Sequence, residues 1–95
     1  MKIKYLWKTF KELYTDDLYA ILNLRQKVFV MEQDCPYIDA DYSDQEAFHL
    51  LGYDEKNILK AYLRAFSPNI KYKGASMGRI AVSYTHLRAH ETELD

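Results

Sequence analysis

Charged and bulky residues alternate at the start of the chain, through Lys2, Ile3, Lys4 and Tyr5, before Leu6 and Trp7. A period of two predicts a strand over residues 2–10 with one buried face. The period changes after Thr15-Asp16-Asp17. Leu18, Ile21, Leu22, Val28 and Phe29 recur at helical spacing and predict a helix over residues 16–33. Thr15 is placed to cap its first free N–H groups, and the two aspartates suit the positive end of the helix dipole. The Asp34-Cys35-Pro36 break ends it, because proline disfavours helical backbone in the residue before it. Residues 47–53 and 58–66 read as the two strands of a hairpin across Asp54-Glu55-Lys56-Asn57. In the second strand Lys60, Tyr62 and Arg64 share one face, and Leu59, Ala61, Leu63 and Ala65 share the other. Ser67-Pro68-Asn69 ends that strand, and another starts at Met77-Gly78-Arg79-Ile80-Ala81. A strand, one long helix and three further strands make one α/β (α+β) domain without repeat or linker.

Composition narrows the classes of function. Ninety-five residues with 48% hydrophobic content allow one small globular domain. A net charge of −1 and no basic stripe disfavour nucleic acid. The apolar runs are too short to span a membrane. Met1 to Trp7 lack the apolar block of a secretory signal. Cys35 is the single cysteine, so it cannot form an internal disulfide. It reads as a loop or core thiol, and a reducing cytoplasm is the expected location.

The last residues require separate treatment. The eleven residues from Val82 to Thr92 match, letter for letter, the in-frame translation of a transposase adapter common in short-read sequencing libraries. We therefore expect residues 1–83 to be domain and residues 84–95 to be a non-native tail that could begin at 82. The tail carries His86 and His90 at the four-residue spacing of helical metal ligands. It lacks the glutamate that a zinc-protease helix places after its first histidine, and no metal site is expected.

Within the domain, Arg25 and Glu32 interrupt the apolar helical stripe. Ionised groups on a core-facing stripe must be paired or must line a cleft, so they form either a buried ion pair or a polar cleft floor that touches substrate. Glu32, Asp34, Asp39, Asp41, Asp44 and Glu46 follow one another with no Lys or Arg between them. They form either a solvated loop or a rim that attracts an ammonium group and raises one carboxyl toward general-base use. Asp39, Asp41 and Ser43 alternate as in a calcium loop, but there is no central glycine and the twelfth position is Leu50, so none is expected. His49, in a strand, is either packed and hydrogen-bonded or a substrate contact. The chain has no Ser/His/Asp signature, no paired-cysteine metal motif and no glycine-rich phosphate loop.

Several segments together resemble the ElaA-like branch of the GNAT acetyltransferases. They are residues 18–22, Leu24-Arg25, residues 28–37, Asp39, Asp41, His49-Leu50-Leu51-Gly52 and Ala61-Tyr62-Leu63-Arg64. Gly78-Arg79-Ile80-Ala81-Val82-Ser83 is similar to the family's fourth strand. The resemblance covers residues 5–83 and is most specific from Leu24 to Tyr37. It implies the N-terminal half of a GNAT fold, with a mixed, mostly antiparallel sheet and helices on both sides. It implies acetyl-CoA as cofactor, bound between the fourth and fifth strands, and acetyl transfer to a small-molecule or peptide amine. The amine must lose a proton to a base or a water relay. Backbone N–H of the fourth strand holds the thioester oxyanion, and a loop opening the next helix takes the pyrophosphate. By position, Ile80, Ala81 and Val82 fall on the cofactor edge. Phe29, Tyr37 and His49 fall in the acceptor cleft, which Arg25 joins on the cleft reading. Glu32 is the choice for general base.

The chain departs from the family after Ser83. No glycine follows Gly78, whereas the family's pattern continues with an Arg/Gln-x-x-Gly-x-Gly/Ala loop, its helix, a fifth strand and a tyrosine acid. The expectation is an active parent, with a homodimer as its expected assembly, and an inactive shorter chain. The competing expectation is a small non-catalytic interaction module whose last strand pairs with a partner's edge.

Overall fold

The computed structural model describes residues 2–32 and 38–83, and side chains in the first segment as far as Phe29. Four strands form one sheet in the order β1 (Lys4–Thr9), β2 (Phe48–Tyr53), β3 (Leu59–Phe66), β4 (Ser76–Val82), each antiparallel to the next. The connection from β1 to β2 carries a 3₁₀ turn at Phe10–Glu12, helix α1 at Thr15–Arg25, and a second 3₁₀ turn at Asp44–Glu46. Helix α1 continues as a π-helical segment, Gln26–Glu32. The expected strand–helix–three-strand order is therefore the observed one, and the long helix changes its winding after Arg25.

Two local details differ from expectation. Thr15 is the first helical residue rather than the cap. The carboxylate of Asp17, one turn inside, reaches back to accept the Tyr14 N–H at 2.9 Å and Lys8 Nζ at 2.9 Å, and it also accepts the Tyr53 hydroxyl. Burial pushes its pKa up, but those three hydrogen bonds prevail and hold it below the usual value. The buried stripe is also rotated by part of a turn. Asp17, Ile21, Leu24, Arg25 and Val28 face the sheet, while Leu18 and Leu22 are half-buried.

Ile21, Leu24 and Val28 pack on Leu51, Leu59, Tyr62 and Ala81 in the core. Each large apolar side chain so buried contributes roughly 1.5–3 kcal/mol. The turn between β2 and β3 is set by Asp54, whose side chain accepts the Lys56 and Ile58 N–H groups at 2.8 and 3.0 Å. Asn57 takes the left-handed conformation there, at φ 61°, a backbone that asparagine tolerates better than most residues.

The other face of the sheet carries no helix among the described residues. Tyr5, Trp7, Phe48, Met77 and Ile80 are exposed. Gly52 sits between Tyr5 and Ala61 in register on this face. A Cβ at Gly52 would come within 2.9 Å of both Ile3 Cγ2 and Tyr5 Cε1 and 3.2 Å of Ala61 Cβ. The first two can swing aside, but the alanine is fixed to the backbone. Gly52→Ala should lower unfolding stability by about 1–3 kcal/mol in urea denaturation. An unchanged midpoint would show that β1 yields freely.

Candidate functional site

Within the acid-rich segment Asp39 and Asp44 are buried and Asp41 is half-buried, while Glu46 is exposed. Asp39, Asp41 and Asp44 meet four cations that arrive from α1, β3, the loop after β3, and β4. Arg25, on α1, is fully buried (0% exposed). Its Nη1 donates to Asp44 Oδ1 at 2.8 Å and its Nη2 to the Asp39 carbonyl at 2.7 Å. Its Nε stands 2.8 Å from Asp39 Oδ2, a charge contact whose N–H direction misses the oxygen. Arg64, on β3, bonds both oxygens of Asp41 at 2.8 Å and reaches Asp44 Oδ1 at 3.0 Å. Lys71 adds a contact to Asp41 at 2.8 Å. Arg79, on β4, stands 2.8 Å from Asp39 Oδ1 and 3.3 Å from Asp41 Oδ2.

Burial alone would disfavour these charges, so their partners decide the balance. Asp41 is held far below the usual carboxylate range, chiefly by the bidentate Arg64 guanidinium. Arg25 and Arg64 lose hydration, yet the aspartates beside them more than compensate and raise both above the ordinary arginine value. Asp41, so held in its ionised form, is a poor proton acceptor. The ion pairs fasten the segment before β2 to α1, β3 and β4.

His49 belongs to the same assembly. It is 1% exposed, with Nε2 2.9 Å from the Asp44 carbonyl and Nδ1 2.6 Å from the Tyr62 hydroxyl. A backbone carbonyl only accepts, so Nε2 carries the proton and Nδ1 accepts the hydroxyl hydrogen of Tyr62. Burial, followed in strength by interactions that partly oppose it, leaves the imidazole pKa lowered. Burial likewise pushes the Tyr62 phenol up. Both rings are therefore neutral at pH 7, and they stack with centroids 5.8 Å apart.

The remaining expected site residues lie elsewhere. Phe29 is half-buried against the core. Glu32 closes the π-helical segment, its side chain lying outside the described part, and Tyr37 is outside the described residues. Ala81 is buried in the core, Ile80 is 57% exposed on the opposite face, and Val82 is half-buried. Among the described residues β4 pairs only with β3 in the sheet. The structure thus brings Arg25 and His49 together, through Asp44, and keeps the β4 residues on a separate edge. The sequence reading overlooked Arg64, Arg79 and Asp44 as partners. Their signal is a charge balance at a distance, with cations on β3 and β4 and carboxylates in a segment without cations. Among the described residues no group of three or more His, Cys, Asp or Glu is disposed to hold a metal ion, and no helix is long and apolar enough to cross a membrane.

With this geometry in place, solved structures provide a match. The fold superposes on an acyl-CoA N-acyltransferase from Pseudomonas aeruginosa with a TM-score of 0.81 and 32% identity, over 97% of this chain and 66% of that one. It superposes on Escherichia coli ElaA with a TM-score of 0.78 and 32% identity, over 98% of this chain and 68% of that one. The chain belongs to the ElaA-like group of GNAT acyltransferases. By sequence it is 39% identical to Escherichia coli ElaA over 74 residues, 76% of this chain and 48% of ElaA. It is 40% identical to a UPF0039 protein of Synechocystis over 83 residues, 87% of this chain and 54% of that protein. No family profile matches the chain. The chain spans about half the length of the curated relatives it matches.

Two measurements probe the network. Arg25→Ala leaves Asp39 and Asp44 short of a buried partner and should cost about 3–5 kcal/mol in chemical denaturation. A loss below about 1 kcal/mol would mean that the network contributes little to stability. For His49 the folded pKa lies below the unfolded value of about 6.5. The unfolded chain then binds a proton that the folded chain refuses, so stability falls as pH drops below that value. Thermal midpoints followed from pH 8 to 5 should decline more steeply for the parent chain than for His49→Gln. Parallel curves would remove His49 as the acid-sensitive group.

Proposed function

We propose that the full-length protein transfers an acetyl group from acetyl-CoA to the amine of a small molecule or peptide in the cytoplasm. The 95-residue chain is inactive alone. The observation that carries this reading is the superposition on an acyl-CoA N-acyltransferase over nearly the whole chain. β4 fits the donor side, because a strand paired on one edge offers backbone N–H groups along the other. Acetyl-CoA supplies an activated acyl carbonyl. Ile80, Ala81 and Val82 would flank it, with strand N–H groups directed at the carbonyl oxygen.

On the acceptor side, Phe29 and Tyr37 supply apolar surface and Glu32 is the proposed base. Arg25 and His49, buried with Asp44, support the cleft wall rather than meet the amine. The pyrophosphate requires a cluster of free backbone N–H groups, which a glycine-bearing turn provides. The sequence after Val82 contains no glycine, which is why the short chain is expected not to bind donor.

Sequencing the source DNA past codon 83 yields the parent reading frame, and a frame that opens into a glycine-rich loop favours the enzyme over an interaction module. Calorimetry then compares the two chains. The parent should bind acetyl-CoA in the micromolar range and the 95-residue chain should show no heat of binding. Micromolar binding by the short chain would overturn the requirement for that loop.

A further inference from the structure

β4 does not run straight. Tyr62 pairs with Ala81 and Arg64 with Gly78, so Arg79 and Ile80 together face the single residue Leu63. That is a β-bulge, and Arg79 within it is left-handed at φ 51°. Glycine is the usual occupant of such a position. Gly78 stands next to it and has no positive φ, so the strained backbone falls on the arginine. Strain of this kind persists only where surrounding contacts over-determine it.

The side chain of Arg79 supplies those contacts. Its Nε stands 2.8 Å from Asp39 Oδ1, and its Nη2 lies 3.3 Å from both the Asp39 carbonyl and Asp41 Oδ2. Asp39 and Asp41 are themselves fastened, the first to Arg25 of α1 and the second to Arg64 of β3. The bulge turns Ile80 outward and returns Ala81 to the core at 1% exposure. The course of residues 80–82 therefore depends on where the segment before β2 is anchored.

We infer that Arg79 is a positioning residue: clamped by Asp39 and Asp41, it holds the bulge of β4 and thereby places Ile80, Ala81 and Val82. The functional meaning rests on the acyl-transfer reading, which puts the donor along these three residues. The structural claim does not. Loop, helix and donor strand then form one unit, and a displacement of the segment carrying Asp39 and Asp41 is transmitted to β4.

The test uses nitrogen-15 NMR of the 95-residue chain. Arg79→Gly permits the left-handed backbone while removing the clamp. Amide exchange at residues 80–82 should rise about tenfold, with exchange at Ser43 rising in step. The amide shifts of residues 80–82 should move, and Arg79→Lys should restore part of the protection. Lys71→Ala removes a different cation from Asp41 and should leave β4 unchanged. Unaltered shifts and exchange in Arg79→Gly would show that strand pairing alone sets the bulge, overturning the inference. An equal effect from Lys71→Ala would overturn it as general loosening. If Arg79→Gly does not fold, the same two criteria apply to Arg79→Asn, which tolerates the left-handed backbone and carries no charge for the clamp.

In the full-length parent, Arg79→Gly should raise the KM for acyl donor about tenfold while the acceptor KM is unchanged. An unchanged donor KM sinks the functional half of the inference. Absence of turnover in the unsubstituted parent counts against the acyl-transfer reading alone and leaves the exchange result standing.

Discussion

The meeting of Asp39, Asp41 and Asp44 with Arg25, Arg64 and Arg79, buried at Arg25, Arg64, Asp39 and Asp44, is the constraint on which the remaining arrangement depends. A guanidinium removed from water is costly unless a carboxylate accompanies it. Arg25 has two, one on each side, and each of those carboxylates also serves a second arginine. No member can leave without uncovering another. The network therefore specifies one position for a segment that has almost no secondary structure of its own.

That position has consequences in both directions along the chain. The Asp44 carbonyl fixes the His49 tautomer, and His49 orients the Tyr62 hydroxyl within the core. Arg25 lies 5.9 Å from the Tyr62 ring, so the same aromatic side chain touches both the charged and the apolar part of the interior. At the other end Arg79 ties the bulge of β4 to the same carboxylates. The polar assembly and the apolar cluster are thus two sides of one core, joined at β3.

Much of this is legible in the chain itself. The period-two and helical patterns place the elements within a residue or two, because periodicity reports which side of an element meets the core. The resemblance carried by residues 24–37 and 78–83 agrees with the acyltransferase structures. The rotation of α1 was less legible. Asp17 counts as a polar surface residue in a hydrophobic pattern, yet it is buried by its bonds to Lys8, Tyr14 and Tyr53. Those partners are near and far in sequence at once, and no local window contains them all.

The sequence by itself determined the order of strands and helix, the family, and the chemistry of the residues available. The order follows from local periodicity, the chemistry from the identity of side chains, and the family from the resemblance carried by residues 24–37 and 78–83. Tertiary structure alone decided what the charged residues do. Arg25 could have floored a cleft and His49 could have met a substrate; both are sealed in pairs because Asp44 folds under the sheet to reach them. Whether a charge is solvated, paired or poised for chemistry depends on distances across the fold, and a linear pattern does not encode those distances.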